Sequence, residues 1–325
     1  MIFADRYSFG VRKTYFLTQI NIGYVNLSKV KTIAGITAGS ASAIDKSKQL
    51  SLVKSYSEHM ERFSLGIPLT RKNLIGSVNI IQKKTLKTKF SEFSYGNHKV
   101  GYNDTTGTAS GRHADDIIQK AVLELIEKNE LFCFWYGDKG KRVYCDDELE
   151  NQIKQYNFIS TSIKIFLMNE LSNYPTIIVL GFLDDELKTT GVACSPDIST
   201  SIRNALNEAK SIEWQTFNNP LAEANQYSKE MLQLFYKKVN YKEHLCEMVL
   251  ISSLEHNESL KISDWIVHIE IAVIGEDINR GIKTIKCISN QLLNSIPIKK
   301  NILLQKEKEI VRKYLNDFSV DCPVQ

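Results

Sequence analysis

The stretch DKSKQLSLVKSYSEHMERFSLG, residues 45–66, repeats apolar side chains three or four positions apart. This spacing predicts a helix of roughly five or six turns that buries one face. The residues expected on that buried face are Leu50, Val53, Tyr56, Met60 and Phe63. We therefore take this helix as the element around which the rest of the chain is organised.

The opposite face of the same helix carries charged side chains. Lys54, Glu58, Glu61 and Arg62 share one side, because positions three, four, seven and eight apart are neighbours on a helix. Two carboxylates and a guanidinium in this arrangement are able to hold Mg²⁺ and a phosphate. The alternative is a solvated face with an ordinary Glu58–Arg62 pair. The helix alone leaves both interpretations open.

A second helix is predicted over residues 115–135. A broad apolar arc supports it, formed by Ile117, Ile118, Ala121, Val122, Leu125 and Ile126. Glu124 and Glu127 lie together within this apolar surround, and an unpaired carboxylate is costly to bury. They require a cation. Lys120 and Lys128 are the simple partners and a bound metal is the functional one, and both remain open.

A third acidic helix follows three predicted strands at residues 163–168, 176–183 and 189–194. It is predicted over residues 201–217 and places Glu208 and Gln215, seven positions apart, on one face. One polar helix face is common. Acidic faces on three helices linked by strands favour convergence on a divalent cation.

The rest of the chain supplies supporting elements. Residues 220–260 are predicted to be helical and connecting, residues 265–274 and 282–288 to form a hairpin, and residues 299–313 to be helical. The tail, residues 317–325, is predicted to be extended. No repeat or low-complexity linker divides the chain. We therefore expect one α+β domain over residues 1–325, with mixed β-sheets and packed helices.

One segment, QKKTLKTK at residues 82–89, is strongly basic. It predicts a solvated hairpin, and the alternative is a surface that receives an acidic peptide or nucleotide phosphates.

Composition excludes several classes of protein. The 325 residues are 43% hydrophobic and 24% charged, with a net charge of +4, and no dense basic stripe with interleaved aromatics indicates a nucleic-acid partner. The longest strongly apolar run, residues 176–183, is too short to span a membrane. The six cysteines show no metal-site spacing, which predicts free thiols and a cytoplasmic protein.

Four blocks of sequence together resemble one family. Residues 54–62, KSYSEHMER, are similar to a Ser-x-x-x-Glu-x-x-Glu-Arg helix, with Lys54 in place of the serine. Residues 108–130 resemble a small-residue turn and a helix ending Glu-Leu-Ile-Glu-Arg-Asp, with Lys128 and Asn129 in the last two places. Residues 204–215, NALNEAKSIEWQ, and residues 281–289, GIKTIKCIS, resemble later blocks. Their order is that of the YcaO-domain proteins, which activate backbone amides of ribosomally made peptides with ATP.

The resemblance implies a site and a chemistry. The nucleotide site would use blocks at about residues 40–66, 105–135 and 195–217. The metal ligands or their supports would be Glu58, Glu61, Glu124, Glu127 and Glu208, with Arg62 and Gln215 on the nucleotide. ATP and Mg²⁺ would be the cofactors. A Cys, Ser or Thr side chain of a precursor peptide would attack the preceding carbonyl, and phosphorylation of the amide oxygen and loss of phosphate would leave a thiazoline or oxazoline.

The resemblance also implies partners and alternatives. A separate protein is expected to bind the precursor's leader peptide, and a flavin-dependent dehydrogenase to oxidise azoline to azole. In azoline-forming members a proline-bearing C-terminal tail enters the site, and this tail carries Pro323. One alternative is thioamide or amidine formation by the same ATP chemistry. Another is a non-catalytic scaffold subunit, which Lys54, Lys128 and the Ile212 that replaces a usual glutamate favour. Under a plain structural reading, the three acidic faces are only solvated.

Overall fold

The computed structural model describes residues 8–12, 21–26, 31–32, 35–36, 40–66, 74–94, 104–218, 227–251, 259–277, 279, 281–295 and 298–323. The helices are α1 (Lys48–Gly66), α2 (Ala114–Tyr136), α3 (Asp147–Gln155), α4 (Ile198–Asn218), α5 (Lys229–Leu245), α6 (Lys299–Leu303) and α7 (Glu309–Tyr314). The strands before α2 are β1 (Ser8–Arg12), β2 (Asn21–Asn26), β3 (Lys31–Thr32), β4 (Gly35–Ile36), β5 (Ser40–Asp45), β6 (Leu74–Asn79), β7 (Lys84–Lys89) and β8 (Thr108–Gly111). Those after it are β9 (Lys141–Val143), β10 (Ser162–Met168), β11 (Thr176–Leu183), β12 (Glu186–Cys194), β13 (Met248–Val249), β14 (Glu270–Asp277) and β15 (Ile282–Ile288).

The strands form three sheets and a two-stranded ribbon within the described residues. The sheet orders are β1-β2-β5, β12-β11-β10-β9-β13 and β7-β6-β14-β15-β8, and β3 pairs with β4. All pairs are antiparallel except β9 with β13, which is parallel, so the second sheet is mixed. Helices pack on these sheets, and the predicted α+β class with mixed sheets is confirmed.

The first helix forms as predicted, but its buried face is not the apolar one. Leu50 and Val53 are 51% and 54% exposed. The buried residues are mostly small and polar, namely Ser51, Ser55, His59, Glu61, Ser64, Leu65 and Gly66. The reason is close packing against sheets: a Cβ added to Gly23 on β2 would lie 2.4 Å from the backbone carbonyl of Ser51. Such an approach leaves no room for large side chains on the inner face of α1.

The second helix and its neighbouring strands match the sequence closely. The apolar arc of α2 enters the largest hydrophobic cluster, with Phe132, Phe134 and Trp135 fully buried. The strands predicted at residues 163–168, 176–183 and 189–194 form as β10, β11 and β12, and the hairpin at residues 82–89 forms as β6 and β7. In α2, β10, β11 and β12 the apolar pattern coincides with burial, which is why a local pattern identifies them.

The late part of the chain departs from the prediction in detail. β14 begins at Glu270 rather than at residue 265, and the short strand β13 interrupts the region expected to be helical and connecting. The predicted final helix is two short helices, α6 and α7. Residues 324–325 of the tail lie outside the described residues. All six cysteines are free thiols, as predicted. No helix in the described part of the chain has the length and apolarity needed to cross a bilayer.

A buried carboxyl on α2 gives a prediction about pH and stability. Glu130 is fully buried, and its Oε1 accepts a hydrogen bond from Leu171 N–H at 2.6 Å while Oε2 has no partner. Burial raises the pKa of Glu130 to about 8. This folded-state pKa lies above that of an unfolded glutamate. The protonated carboxyl of Glu130 therefore stabilises the fold in acid, and this stabilisation is lost as the pH rises towards 8.

Glu130→Gln removes this titration while keeping an oxygen for Leu171. The free energy of unfolding of the native chain, relative to the variant, is expected to fall by a few kcal/mol between about pH 5 and pH 8.5. Urea denaturation at both pH values measures the difference. An equal difference at the two pH values would show that Glu130 does not titrate in this way.

Candidate functional site

The acidic face of α1 is joined to the neighbouring elements. Arg62 Nη2 donates to Glu58 Oε1 at 2.6 Å, as the simple reading of the helix predicts. Glu61 is buried, and its Oε1 accepts from the backbone N–H of Ser110 on β8 and from Lys120 Nζ on α2, both at 2.9 Å. Glu61 therefore links α1 to β8 and α2 and is not a solvated surface residue.

The acids of α2 lie in a half-buried, low-dielectric setting. Glu127 Oε2 accepts from Cys194 N–H at 3.1 Å, and its Oε1 lies 3.2 Å from Lys128 Nζ. Burial raises the pKa of Glu127 to about 7. Burial, and then the charge of Glu61, raise the pKa of Glu124 well above its usual value. These carboxyl groups are short of positive charge in the structure as it stands.

The acid of α4, Glu208, is held by β12, the strand whose Cys194 also binds Glu127. Glu208 Oε2 accepts from Val192 N–H at 2.6 Å. β12 is the end strand of its sheet, so the N–H groups on its outer side, at Val192 and Cys194, are available to carboxylates. Gly191 lets α4 approach, because a Cβ there would lie 2.1 Å from the backbone oxygen of Ala205. One strand edge therefore positions Glu127 and Glu208.

The three acidic helices converge. Burial raises the pKa of Glu58, and the negative charges of Glu61 and Glu208, the latter from α4, raise it further. Glu208 also contributes to the raised pKa of Glu127. The five carboxylates predicted from sequence, Glu58, Glu61, Glu124, Glu127 and Glu208, thus form one electrostatic cluster together with Arg62.

Two lysines occupy the cluster. Lys120 pairs with Glu61, whose charge is the main cause of the raised pKa of Lys120. Burial alone would lower the pKa of Lys128, but the charges of Glu127, Glu208 and Glu124 raise it. Within the described residues, no three His, Cys, Asp or Glu side chains lie close enough together to hold a metal ion. A metal would therefore require the carboxylates to move closer together, and it would compete with these two ammonium groups for them.

The donor set nevertheless fits a divalent cation and a phosphate. The five carboxylates exceed the four cations that lie among or beside them, which are Arg62, Lys120, Lys128 and Lys286. Buried carboxylates with raised pKa values are stabilised by an added positive charge, and carboxylate oxygens are the ligands that Mg²⁺ prefers. Displaced lysines and Arg62 would remain beside the metal, where they are able to bind phosphate oxygens.

Gln215 lies apart from this cluster. Its Nε2 donates to Ser42 Oγ on β5 at 2.9 Å, and the neighbouring Trp214 packs against Ile22 and Ile44. In the described part of the chain, no hydrogen bond or ion pair links Gln215 to the five carboxylates. Glu213 follows Ile212, which stands where a glutamate is usual. Glu213 is fully buried, accepts a hydrogen bond from Ser160 Oγ and forms an ion pair with Lys210, so it does not join the cluster.

Some groups at the site gave little sequence signal. The backbone donors of Val192, Cys194 and Ser110 hold three of the acids, and a backbone N–H leaves no trace in residue type. Lys286 is fully buried, and Nζ donates to Asp104 O at 2.8 Å and to Thr106 O. Burial lowers its pKa and the charges of Asp104 and Glu124 oppose this, which places another cation beside the acids.

The tail is anchored at the far end of α2. Trp135 Nε1 donates to Val320 O at 2.9 Å, and Cys322 N–H donates to Tyr136 Oη at 2.9 Å. Trp135 lies eight residues beyond Glu127, which is about 12 Å along the helix axis. Residues 320–322 are thus held at a distance from the acidic cluster.

Comparison with known proteins assigns the chain to a family. The model of the family described as YcaO cyclodehydratase, ATP- and Mg²⁺-binding, matches residues 88–265, which is more than half of the chain. No curated protein sequence matches this one.

Solved structures share the fold at low identity. YcaO from Methanopyrus kandleri, bound with AMPPCP and Mg²⁺, superposes with a TM-score of 0.66 and 11% identity, covering 88% of this chain and 87% of that one. A chain of the E. coli microcin synthetase McbBCD complex superposes with a TM-score of 0.66 and 10% identity, covering 89% of this chain and 88% of that one. A heterocyclase in complex with substrate and cofactor gives 0.66 and 10%, covering 98% of this chain but 54% of that protein.

Proposed function

Because this chain belongs to the YcaO family, we propose that it is an ATP-dependent, Mg²⁺-dependent cyclodehydratase that acts on the backbone amides of a ribosomally made precursor peptide. Its products would be thiazolines or oxazolines formed at Cys, Ser or Thr. The observation that carries the proposal is the convergence of Glu61, Glu127 and Glu208, from three helices, on one half-buried cluster with excess negative charge.

The residues of the cluster divide into two roles in this proposal. Glu58, Glu61, Glu124, Glu127 and Glu208 would hold Mg²⁺ or support its ligands. Arg62 would bind phosphate oxygens, and Gln215 would contact the nucleotide from its position beside Ser42. When bound, Mg²⁺ neutralises triphosphate charge and stabilises the charge that develops during phosphoryl transfer. The N–H groups of Val192 and Cys194 would keep Glu208 and Glu127 in position.

The lysines give the proposal a measurable consequence. Lys128→Gln removes the ammonium that pairs with Glu127 at 3.2 Å, so a divalent cation no longer has to displace it. The affinity for Mn²⁺ without nucleotide is expected to rise on the order of tenfold, a reasonable size for one lost partly buried charge pair. Calorimetric titration with Mn²⁺ measures it.

Lys154→Gln is the matched control, because Lys154 pairs with Glu150 on the exposed surface of α3. It should leave Mn²⁺ affinity unchanged. If Lys128→Gln binds Mn²⁺ no better than the native chain, Glu127 is not a metal-binding group.

We propose further that residues 1–325 form one domain that works in the cytoplasm with other proteins. The largest hydrophobic cluster includes residues from Ala109 to Cys322, which supports a single unit. A separate protein would bind the leader peptide, and a flavin-dependent dehydrogenase would act on the azolines. The likeness to a chain of a microcin synthetase complex is in keeping with such partners.

A scaffold role without catalysis is the second candidate. It is favoured by the two lysines that pair with Glu61 and Glu127, and by Lys54, which replaces a family serine and pairs with Asp45 at 2.7 Å. A subunit of this kind would not bind Mg-ATP even with its partner present.

Product mass separates the candidate reactions. The chain, its precursor peptide, the partner protein and Mg-ATP are incubated together, and the peptide is analysed by mass spectrometry. Loss of one water for each modified residue is expected. Replacement of an oxygen by sulfur would indicate thioamide formation, condensation with an amine would indicate an amidine, and an unchanged peptide would favour the scaffold.

A further inference from the structure

The hairpin of β6 and β7 presents one sheet face that no element in the described part of the chain covers. In its register, Leu74 lies opposite Lys89, Gly76 opposite Lys87 and Val78 opposite Thr85. These residues all lie on the outer face of the hairpin. Leu74 and Val78 are 52% and 42% exposed, and a Cβ added to Gly76 would meet nothing within 4 Å.

The exposed face of the hairpin continues into a buried face on the same side of the sheet β7-β6-β14-β15-β8. α2 packs on β8 and β15, and Ile271, Ile285 and Cys287 on that side belong to the main hydrophobic cluster. Val273 on β14 shares the face of Ile271 but is 41% exposed. Leu74, Val78 and Val273 thus form an apolar strip beyond the cover of α2, which we call the outer strip.

The strand beside the outer strip is basic and lies at the edge of its sheet. β7 is the end strand in the order β7-β6-β14-β15-β8, so no strand in the described part of the chain pairs with its outer side. Lys83, Lys84, Lys87 and Lys89 are all exposed. Among the described residues, none of these lysines has a carboxylate partner within 4 Å.

Lysines on an edge strand ordinarily prevent pairing with other chains, and this is the simplest reading of β7. That role requires no apolar surface next to the strand. A row of exposed apolar side chains beside unpaired lysines instead matches a partner that has both acidic and apolar groups. The hairpin also lacks exposed aromatic side chains on this face, which a single-stranded nucleic acid would use for stacking.

We propose that β7 and the outer strip bind an extended acidic segment of another polypeptide, which adds to the sheet as a strand beside β7. Main-chain hydrogen bonds to the free edge would give affinity, and acidic side chains at alternate positions would lie next to Lys87 and Lys89. Successive side chains of a strand point to opposite faces, so the residues between those acids would face away from the outer strip, and a further part of the partner, beyond the added strand, would cover Leu74, Val78 and Val273. None of the residues proposed for the nucleotide site lies on β7 or in the outer strip.

A synthetic peptide tests the surface on the whole chain. The probe is Ac-Glu-Val-Glu-Thr-Glu-Val-Glu-Thr-NH₂, and its binding is measured by fluorescence anisotropy of a labelled copy. Saturable binding is expected, weakened at least about tenfold by the double variant Lys87→Glu with Lys89→Glu. The control is Lys300→Glu with Lys306→Glu, which makes the same change of charge at exposed positions near α6 and should bind as the native chain does.

Two further arms separate strand addition from simple charge attraction. Replacing the central threonine of the probe by proline removes a main-chain donor, and should abolish binding without changing charge. Hydrogen exchange should slow at β7 amides when the original probe binds. The proposal is overturned if the probe does not bind, or if the proline peptide or an oligothymidylate of equal charge binds as tightly as the probe. It is also overturned if the β7 amides gain no protection from hydrogen exchange.

Discussion

Replacing Glu208 by glutamine is expected to weaken Mg-ATP binding by at least about 100-fold, equivalent to about 3 kcal/mol. The amide keeps an oxygen that accepts the 2.6 Å hydrogen bond from Val192 N–H, so α4 stays against β12. What the variant loses is one negative charge from the cluster that we propose binds the metal through its excess negative charge. Isothermal titration calorimetry with Mg-ATP measures the effect.

Glu148→Gln is the control for Glu208→Gln. Glu148 is exposed on α3, so its substitution removes the same charge at a position away from the site. Its affinity for Mg-ATP should equal that of the native chain. Equal binding by Glu208→Gln and the native chain would remove Glu208 from the metal site. A lowered melting temperature in Glu208→Gln alone would show that the residue matters mainly for folding.

Gly191→Ala is expected to have the largest effect on stability. The added Cβ would lie 2.1 Å from Ala205 O and 2.6 Å from Ala209 N, both main-chain atoms of α4 that have no flexible way to yield. α4 must therefore move away from β12, at a loss of about 3 kcal/mol or more in the free energy of unfolding. The movement also separates Glu208 from Val192 N–H, so Mg-ATP binding should fall with stability.

Gly76→Ala is the matched control for Gly191→Ala, since its Cβ meets nothing within 4 Å. The same change of residue should there leave the free energy of unfolding within about 1 kcal/mol of the native value. Urea denaturation compares the two variants. Similar losses in both would mean that backbone entropy, and not the contact between α4 and β12, explains the effect at Gly191.

The sequence predicted the elements well where burial follows the local pattern. The α2 arc and the strands β10 to β12 are apolar at the positions that enter the core, so periodicity and burial agree. It failed on α1, because Gly23 and Gly275 bring two sheets close to the inner face of that helix, against Ser51 and Ser64. Only small residues fit there, and hydrophobicity gives no sign of how near a sheet will come.

The acids of the candidate site and the Glu58–Arg62 and Glu127–Lys128 pairs were predictable from the sequence, but the backbone groups that hold the acids were not. Helical spacing and the family blocks identify Glu61, Glu127 and Glu208, and the structure brings them together. The donors that fix them are backbone N–H groups of β8 and β12, which depend on tertiary pairing and have no residue signature. Glu213 shows the limit of spacing: it lies five residues beyond Glu208, and tertiary contacts with Ser160 and Lys210 bury it elsewhere.

We propose that carboxylates of α1, α2 and α4 form one metal and nucleotide site. The most direct test is a crystal structure of the chain with Mn²⁺ and a non-hydrolysable ATP analogue, in which anomalous scattering locates the metal. We expect a manganese peak among Glu61, Glu127 and Glu208, with the Glu61–Lys120 and Glu127–Lys128 pairs opened. Nucleotide bound elsewhere, or bound here with both pairs intact and no metal peak among the acids, would contradict the assignment of these carboxylates to the site.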